Sequence, residues 1–223
     1  MSKRVFILVE GQTEERFVKD VLAPAFFGRD LYFYPTILVT KRVKDGPNFK
    51  GGVTTFAKFR NDVRRLLQSS GDALVTTLLD YYGLPTDFPG MDSRPGRGPI
   101  ERVTHVERAV AEHLGNPPNF VPFLALHEFE AWLFSAPEEL PRVLTAMDKL
   151  PQFAAIREGV ASPEEINERP QFAPSKRIAT LFPSYRKVLH GPTAAGRIGL
   201  DRIRKDCPHF DAWIKRLEEF VVA

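Results

Sequence analysis

The chain has 223 residues, 43% of them hydrophobic and 26% charged, with a formal net charge of +3. These proportions exclude disordered and fibrous classes, and a chain this long buries roughly 70% of its unfolded surface, enough for a core without metal or disulfide staples. The single cysteine, Cys207, excludes an internal disulfide and a four-cysteine zinc site, and no apolar run reaches the length of a membrane span or a signal peptide, so a cytoplasmic protein with no membrane partner is expected.

Residues 4–10, Arg-Val-Phe-Ile-Leu-Val-Glu, form a short continuous apolar run, the pattern of a strand buried on both faces. Gly11 breaks it. Thr13, Glu15 and Arg16 then open a helix in which Phe17, Val18, Val21 and Leu22 recur at helical spacing. A second strand is predicted over 31–40, a loop over 41–52, and a helix over 53–69 with Phe56, Phe59, Val63, Leu66 and Leu67 inside. Residues 72–80 read as the next strand. A long Gly/Pro-rich loop over 81–99 has the length of a functional flap. A helix over 100–114 follows, then a fourth strand over 119–126 and a helix opening at 127–134. Strands alternating with helices predict an α/β fold, a mostly parallel sheet with helices on both faces. After residue 135 prolines punctuate helical pieces, so the expected organisation is an α/β core over 1–135 and a helical C-terminal extension over 136–223. Its last segment, 209–222, puts Phe210, Trp213, Ile214, Leu217 and Phe220 on one face to dock on the core.

Charge is unevenly distributed. Residues 172–205 hold eight basic residues against Asp201 alone, and 41–65 hold eight against two acids, whereas 128–168 hold nine acids and three bases. Such blocks suit a basic surface for a polyanion beside an acidic site, or else solvated helix faces. In a parallel sheet, ligands sit at the carboxyl ends of the strands. Glu10 ends the first predicted strand, Asp80 the third, and His127-Glu128-Phe129-Glu130 follows the fourth. Carboxylates brought together repel unless a cation intervenes. Oxygen donors without cysteine favour Mg²⁺ or Mn²⁺ over zinc. Taken singly, an acid at a strand end is also a common helix cap, and Asp80 before a loop suits an Asx-turn.

The run Val-Glu-Gly-Gln-Thr-Glu-Glu at 9–15 resembles the first Toprim motif, a strand-end glutamate followed by glycine, and Asp-Tyr-Tyr-Gly-Leu-Pro at 80–85 occupies the place of the second. The wider set of blocks, Leu-His-Glu-Phe-Glu-Ala-Trp-Leu-Phe at 126–134, Ile-Gly-Leu at 198–200 and Cys-Pro-His-Phe-Asp-Ala-Trp at 207–213, resembles a bacterial family labelled domain of unknown function 4276 across nearly the whole chain. That resemblance implies a Toprim-like, Rossmann-like fold, of the kind found in topoisomerases, primases, small-ribonuclease maturases and the overcoming-lysogenisation-defect nucleases. It implies a metal-dependent nuclease acting on DNA or RNA, working beside an ATPase of the AAA or ABC type in phage defence. Glu10 then corresponds to the Toprim glutamate, as general acid/base or metal ligand. Asp80 corresponds to the first aspartate of the Asp-x-Asp motif. Tyr82 stands where the second belongs, and a phenol is a poor substitute for a carboxylate ligand at neutral pH. Glu130, or Glu128, resembles the downstream glutamate that completes the metal cluster of the related nucleases.

The remaining candidates carry two readings each. Glu14, one turn beyond Glu10, is either a ligand or an acid favoured by the helix dipole. His127 is either a donor or base near pH 7, or a packed histidine at a helix start. Lys176 and Lys187 lead the basic candidates for contacting a scissile phosphate, with an ordinary phosphate-contacting or salt-bridging surface as the alternative. Lys50, Arg94, Arg97, Arg177, Arg186 and Arg202 are expected to track a nucleic-acid backbone without reading its sequence. The Gly-rich loop at 48–54 could offer backbone N–H groups to a phosphate but lacks the P-loop order, so no nucleotide site is expected. Cys207 has no base evident beside it and reads as structural.

Overall fold

A computed structural model describes residues 2–41, 49–50, 53, 55–96, 98–166 and 172–222. Its centre is a parallel sheet. β1 (Lys3–Val9) pairs on one side with β2 (Leu31–Ile37) and on the other with β5 (Leu74–Asp80). Two short strands, β6 (Phe120–Val121) and β7 (Leu124–Ala125), pair in succession along the far side of β5, giving the order β2-β1-β5-β6 with β7 also beside β5. Every one of these pairings is parallel, and the mostly parallel α/β sheet read from the sequence is the observed architecture. β5 shows why: Leu74 through Leu79 are all buried, as a strand covered on both faces must be.

The predicted fourth strand is in fact two. Pro122 falls between β6 and β7 and has no N–H to give to a ladder. Thr77 of β5 repairs the break, its hydroxyl accepting from Phe123 N–H at 2.8 Å and donating to Phe123 O at 2.7 Å. The second predicted strand is likewise shorter than 31–40. β2 stops at Ile37, and β3 (Val39–Lys41) leaves the sheet to pair antiparallel with β4 (Phe49–Lys50). Most of the Gly-rich loop at 48–54 lies outside the described residues.

The first helical stretch runs from α1 (Gln12–Phe17) through a π-turn at Val18–Leu22 to α2 (Ala23–Ala25). The widened turn stands directly before Pro24, which cannot return a hydrogen bond to the preceding turn. α3 (Phe56–Ser70) and α4 (Pro99–His113) follow closely the predicted helices. The segment after β7 is not an α-helix as expected but a 3₁₀ helix, Phe129–Ser135, buried on every side. Helical pieces follow: α5 (Glu139–Val143), α6 (Leu150–Glu158), α7 (Pro174–Leu181), α8 (Lys187–Ile198), α9 (Leu200–Asp206) and α10 (Pro208–Val222). Among the described residues no helix is long and apolar enough to cross a membrane.

Alternation of the strands divides the core in two. Val5, Ile7 and Val9 face a cluster with Phe17, Trp132, Phe210, Trp213 and Leu217, so α10 docks as its apolar stripe predicts. Leu8, Val75 and Leu79 face a second cluster with Phe56, Phe59 and Val63 of α3 and Val103, Val106 and Val110 of α4. Cys207 is buried, its sulfur 3.5 Å from Ser135 Oγ, and burial pushes the thiol well above its usual pKa, which fits the structural reading.

Candidate functional site

β1 and β5 run parallel, so their carboxyl ends lie side by side and deliver Glu10 and Asp80 to one edge. Glu10 N–H donates to Leu78 O at 3.1 Å, and Glu10 Oε2 accepts the backbone N–H of Asp80 at 2.9 Å. The end of β5 thus holds the Glu10 carboxylate in place. Asp80 Oδ1 in turn accepts Phe129 N–H at 2.9 Å, fixing the entry to the 3₁₀ helix that carries Glu130. Glu14 folds back within its own turn, Oε2 accepting Gly11 N–H at 2.9 Å. Glu128 Oε2 accepts the N–H of Ser175, on α7, at 3.0 Å.

Among the described residues, one cation faces these acids. Lys187, the first residue of α8, stands 3.0 Å from Glu130 Oε2. Glu130 is fully buried, and its Oε1 accepts the Tyr185 hydroxyl at 3.3 Å. Gly191 makes this approach possible: a Cβ there would meet Phe129 Cε1 at 3.0 Å and Tyr185 Oη at 3.2 Å. Tyr185 and Gly191 were not singled out from the sequence. Gly191, one of two glycines inside the helical pattern of α8, was the available signal.

The electrostatics follow from burial. Glu10 is pushed above the usual carboxylate range by burial and by Glu128, against the Asp80 N–H and Lys187. Glu14 is pushed up to about 7 by burial, with the nearby charges of Glu10 and Glu130 adding to it. Asp80 and Glu130 are raised for the same reasons, burial first in each. Lys187 is held above its usual value, the carboxylates of Glu130, Asp80 and Glu128 outweighing its own burial. Burial and Glu130 push the Tyr185 phenol up, so it donates rather than ionises.

The predicted acids Glu10, Glu14, Asp80, Glu128 and Glu130 are therefore gathered with Lys187. His127 stands beside them in a left-handed conformation, φ +67°, and its carbonyl accepts Tyr82 N–H at 3.1 Å. Burial and Arg102 lower its pKa to about 4, so its ring is neutral at pH 7 rather than poised there. Lys176 is exposed on α7, and none of the cluster's hydrogen bonds or ion pairs reaches it. The expected backbone contacts are dispersed. Arg94 donates to Met91 O and to the Tyr81 hydroxyl, and Arg177 lies over the Phe172 ring. Arg186 is exposed beside His190, and Arg202 pairs with Asp206. Arg97 lies outside the described residues, and Lys50 is described only as part of β4.

All the cluster's donors are oxygens, the donor set of Mg²⁺ or Mn²⁺. Glu130 Oε2 is buried and accepts no directional hydrogen bond, although the ammonium is near, so it retains capacity for a cation. Among the described residues, however, no group of three or more Asp, Glu, His or Cys side chains already stands in a metal-ligating arrangement. The fit is one of chemistry and charge. No curated protein and no solved structure matches this chain. A family model spans residues 9–218, from just before Glu10 to within α10 and so across every acid of the cluster, and the chain belongs to the family described as domain of unknown function (DUF4276).

Proposed function

We propose that the chain is a Mg²⁺- or Mn²⁺-dependent phosphodiesterase of the Toprim nuclease type, cleaving DNA or RNA. The observation that carries this reading is the charge imbalance at the strand ends: among the described residues, five carboxylates, four of them with raised pKa, face one ammonium. A divalent cation relieves that repulsion. Glu10 and Asp80 would hold it, with Glu130 and Glu128 beside them, and Glu14 supporting from the next turn. When bound, such an ion supplies charge stabilisation at the phosphoryl group and an acidified water. Lys187, paired with Glu130 and with 42% of its side chain exposed, would hold a phosphate oxygen. Glu14 Oε2 is occupied by Gly11 N–H, so when the carboxyl is protonated its proton belongs on Oε1.

Calorimetric titration with Mg²⁺ and Mn²⁺ tests the site. The wild type is expected to bind and the Asp80→Asn, Glu130→Gln double variant to lose at least about tenfold in affinity, or about 1.4 kcal/mol. Glu10→Gln is expected to stay folded and lose cleavage of plasmid and tRNA; cleavage at the wild-type rate would sink the proposal.

A second reading makes the chain a non-catalytic subunit of an AAA- or ABC-type ATPase complex. Tyr82 favours it, since the place of the second Toprim aspartate is taken by an exposed phenol. Under that reading the intact protein binds neither cation, and the complex forms normally after Glu10, Asp80 and Glu130 are all neutralised.

A further inference from the structure

We propose that the open face of β2 binds a single-stranded nucleic acid by stacking bases on Tyr32 and Tyr34. The proposal rests on the nucleic-acid reading of the carboxylate site and adds the strandedness of the ligand and the surface that holds it. Tyr32 and Tyr34 are two residues apart on one strand, so both rings rise from the same face, about 7 Å apart. They are 54% and 45% exposed, two neighbouring large rings left open to solvent. Parallel register sets Arg4 beside Tyr32 and Phe6 beside Tyr34, and the Phe6 and Tyr34 rings lie 5.4 Å apart. The same face of the sheet is covered, over β1 and β5, by α3. That helix carries Arg60, Arg64 and Arg65 with Asp62 as its only acid. Aromatic rings beside a basic helix are the two components of sequence-tolerant single-strand binding.

The outer edge of β2 offers room. A groove of about 650 Å³ runs along it, lined among others by Lys19, Pro24, Phe27, Asp30, Tyr32 and Tyr34. An added β-strand from another chain is the competing occupant, and the backbone disfavours it. Lys3 N–H donates to Asp30 O and Leu38 N–H to Val9 O, so the even-numbered residues of β2 point their backbone groups at β1. The odd-numbered ones point outward, and one of them is Pro35, which has no N–H. A proline at mid-edge is a known guard against strand addition. It leaves the rings untouched. From Phe6, level with Tyr34, to Glu10 is four residues of β1, about 13 Å, so a strand stacked on this face leads toward the carboxylates.

Fluorescence anisotropy with labelled oligothymidylate, oligouridylate and a matching duplex, in EDTA, tests the surface independently of any cleavage. The wild type is expected to prefer the single strands. Tyr32→Ala with Tyr34→Ala is expected to weaken single-strand binding about tenfold or more, and Tyr32→Phe with Tyr34→Phe to retain it, because the rings remain. Unchanged melting of the alanine variant controls for folding. Equal affinity of the alanine variant and wild type overturns the proposal, as does the absence of single-strand binding. A change of oligomeric state in the alanine variant, read by light scattering, overturns it too and makes this face a contact between copies. None of these results touches cation binding or cleavage, so the nuclease reading stands or falls separately.

Discussion

Glu14 shows how burial turns a single carboxyl into a pH-dependent load on the fold. Its folded pKa of about 7 lies above the ordinary 4.5, so between those values the folded protein holds a proton that the unfolded chain has released. Stability therefore falls as pH rises through that window, is unaffected by this group below it, and stays reduced above it. Glu14→Gln removes the ionisation while keeping an oxygen for Gly11 N–H. The expected result is a variant that gains on the wild type as pH rises from about 4.5 to 7, by on the order of 2 kcal/mol, in urea melts without divalent metal. A difference that does not vary with pH would place the proton elsewhere in the cluster. Adding Mg²⁺ should narrow the gap, because a cation stabilises the ionised wild-type cluster and has less to gain beside the amide.

Among the elements, α10 depends on a cap supplied from far along the chain. Pro208 opens the helix, and the next two N–H groups, of His209 and Phe210, donate to Glu164 Oε2 and Oε1 at 2.8 and 3.0 Å. Glu164 is fully buried, so no water can replace it. Glu164→Ala leaves two buried donors unpaired and is expected to cost about 2–4 kcal/mol, seen as a lower urea midpoint at unchanged slope. Glu164→Gln keeps one acceptor and should cost about half as much. α10 itself was legible, because Phe210, Trp213, Ile214 and Leu217 repeat at helical spacing and all are buried. Its cap was not, because Glu164 lies 45 residues before the amide it binds. The same contrast runs through the sheet and the site. Buried strands announce themselves as apolar runs, and parallel topology then brings Glu10 and Asp80 together. The break at Pro122 was printed in the sequence, but its repair by Thr77 requires knowing which strands are neighbours. The turn at 129–135 misled because Phe129 and Ala131 through Phe134 are all apolar, giving no period from which to tell a 3₁₀ helix from an α-helix. Lys187 over Lys176 could be chosen only once α8 was seen packed on α1.

At the scale of the molecule, the helices after residue 135 are not an ornament on a finished core. Trp213 lies stacked on Phe123, centroids 4.4 Å apart and planes 9° from parallel, and its indole N–H donates to Thr76 Oγ1 at 2.9 Å. His209 stacks on the same phenylalanine and pairs with Glu107 of α4 at 3.0 Å. One face of β1 is thus closed by residues that lie 200 positions further along the chain, and the cluster they share contains Phe17, Phe129 and Trp132 from the first part. The site is distributed in the same way, with its acids before residue 135 and its ammonium at 187. We therefore predict that residues 1–135 expressed alone do not fold cooperatively. The fragment would expose Phe123, Trp132 and Val5 to water, each buried aromatic or aliphatic side chain forfeiting about 1.5–3 kcal/mol, and such losses together rival the roughly 5–15 kcal/mol by which domains are usually stable. Urea titration followed by near-ultraviolet circular dichroism checks this: the fragment should show no sharp transition. Adding residues 136–223 as a separate chain should restore one, because the missing face is supplied by contacts rather than by the covalent link. A fragment that melts cooperatively on its own would mean that the sheet and α1 to α4 are a self-sufficient core, with the C-terminal helices serving the site alone.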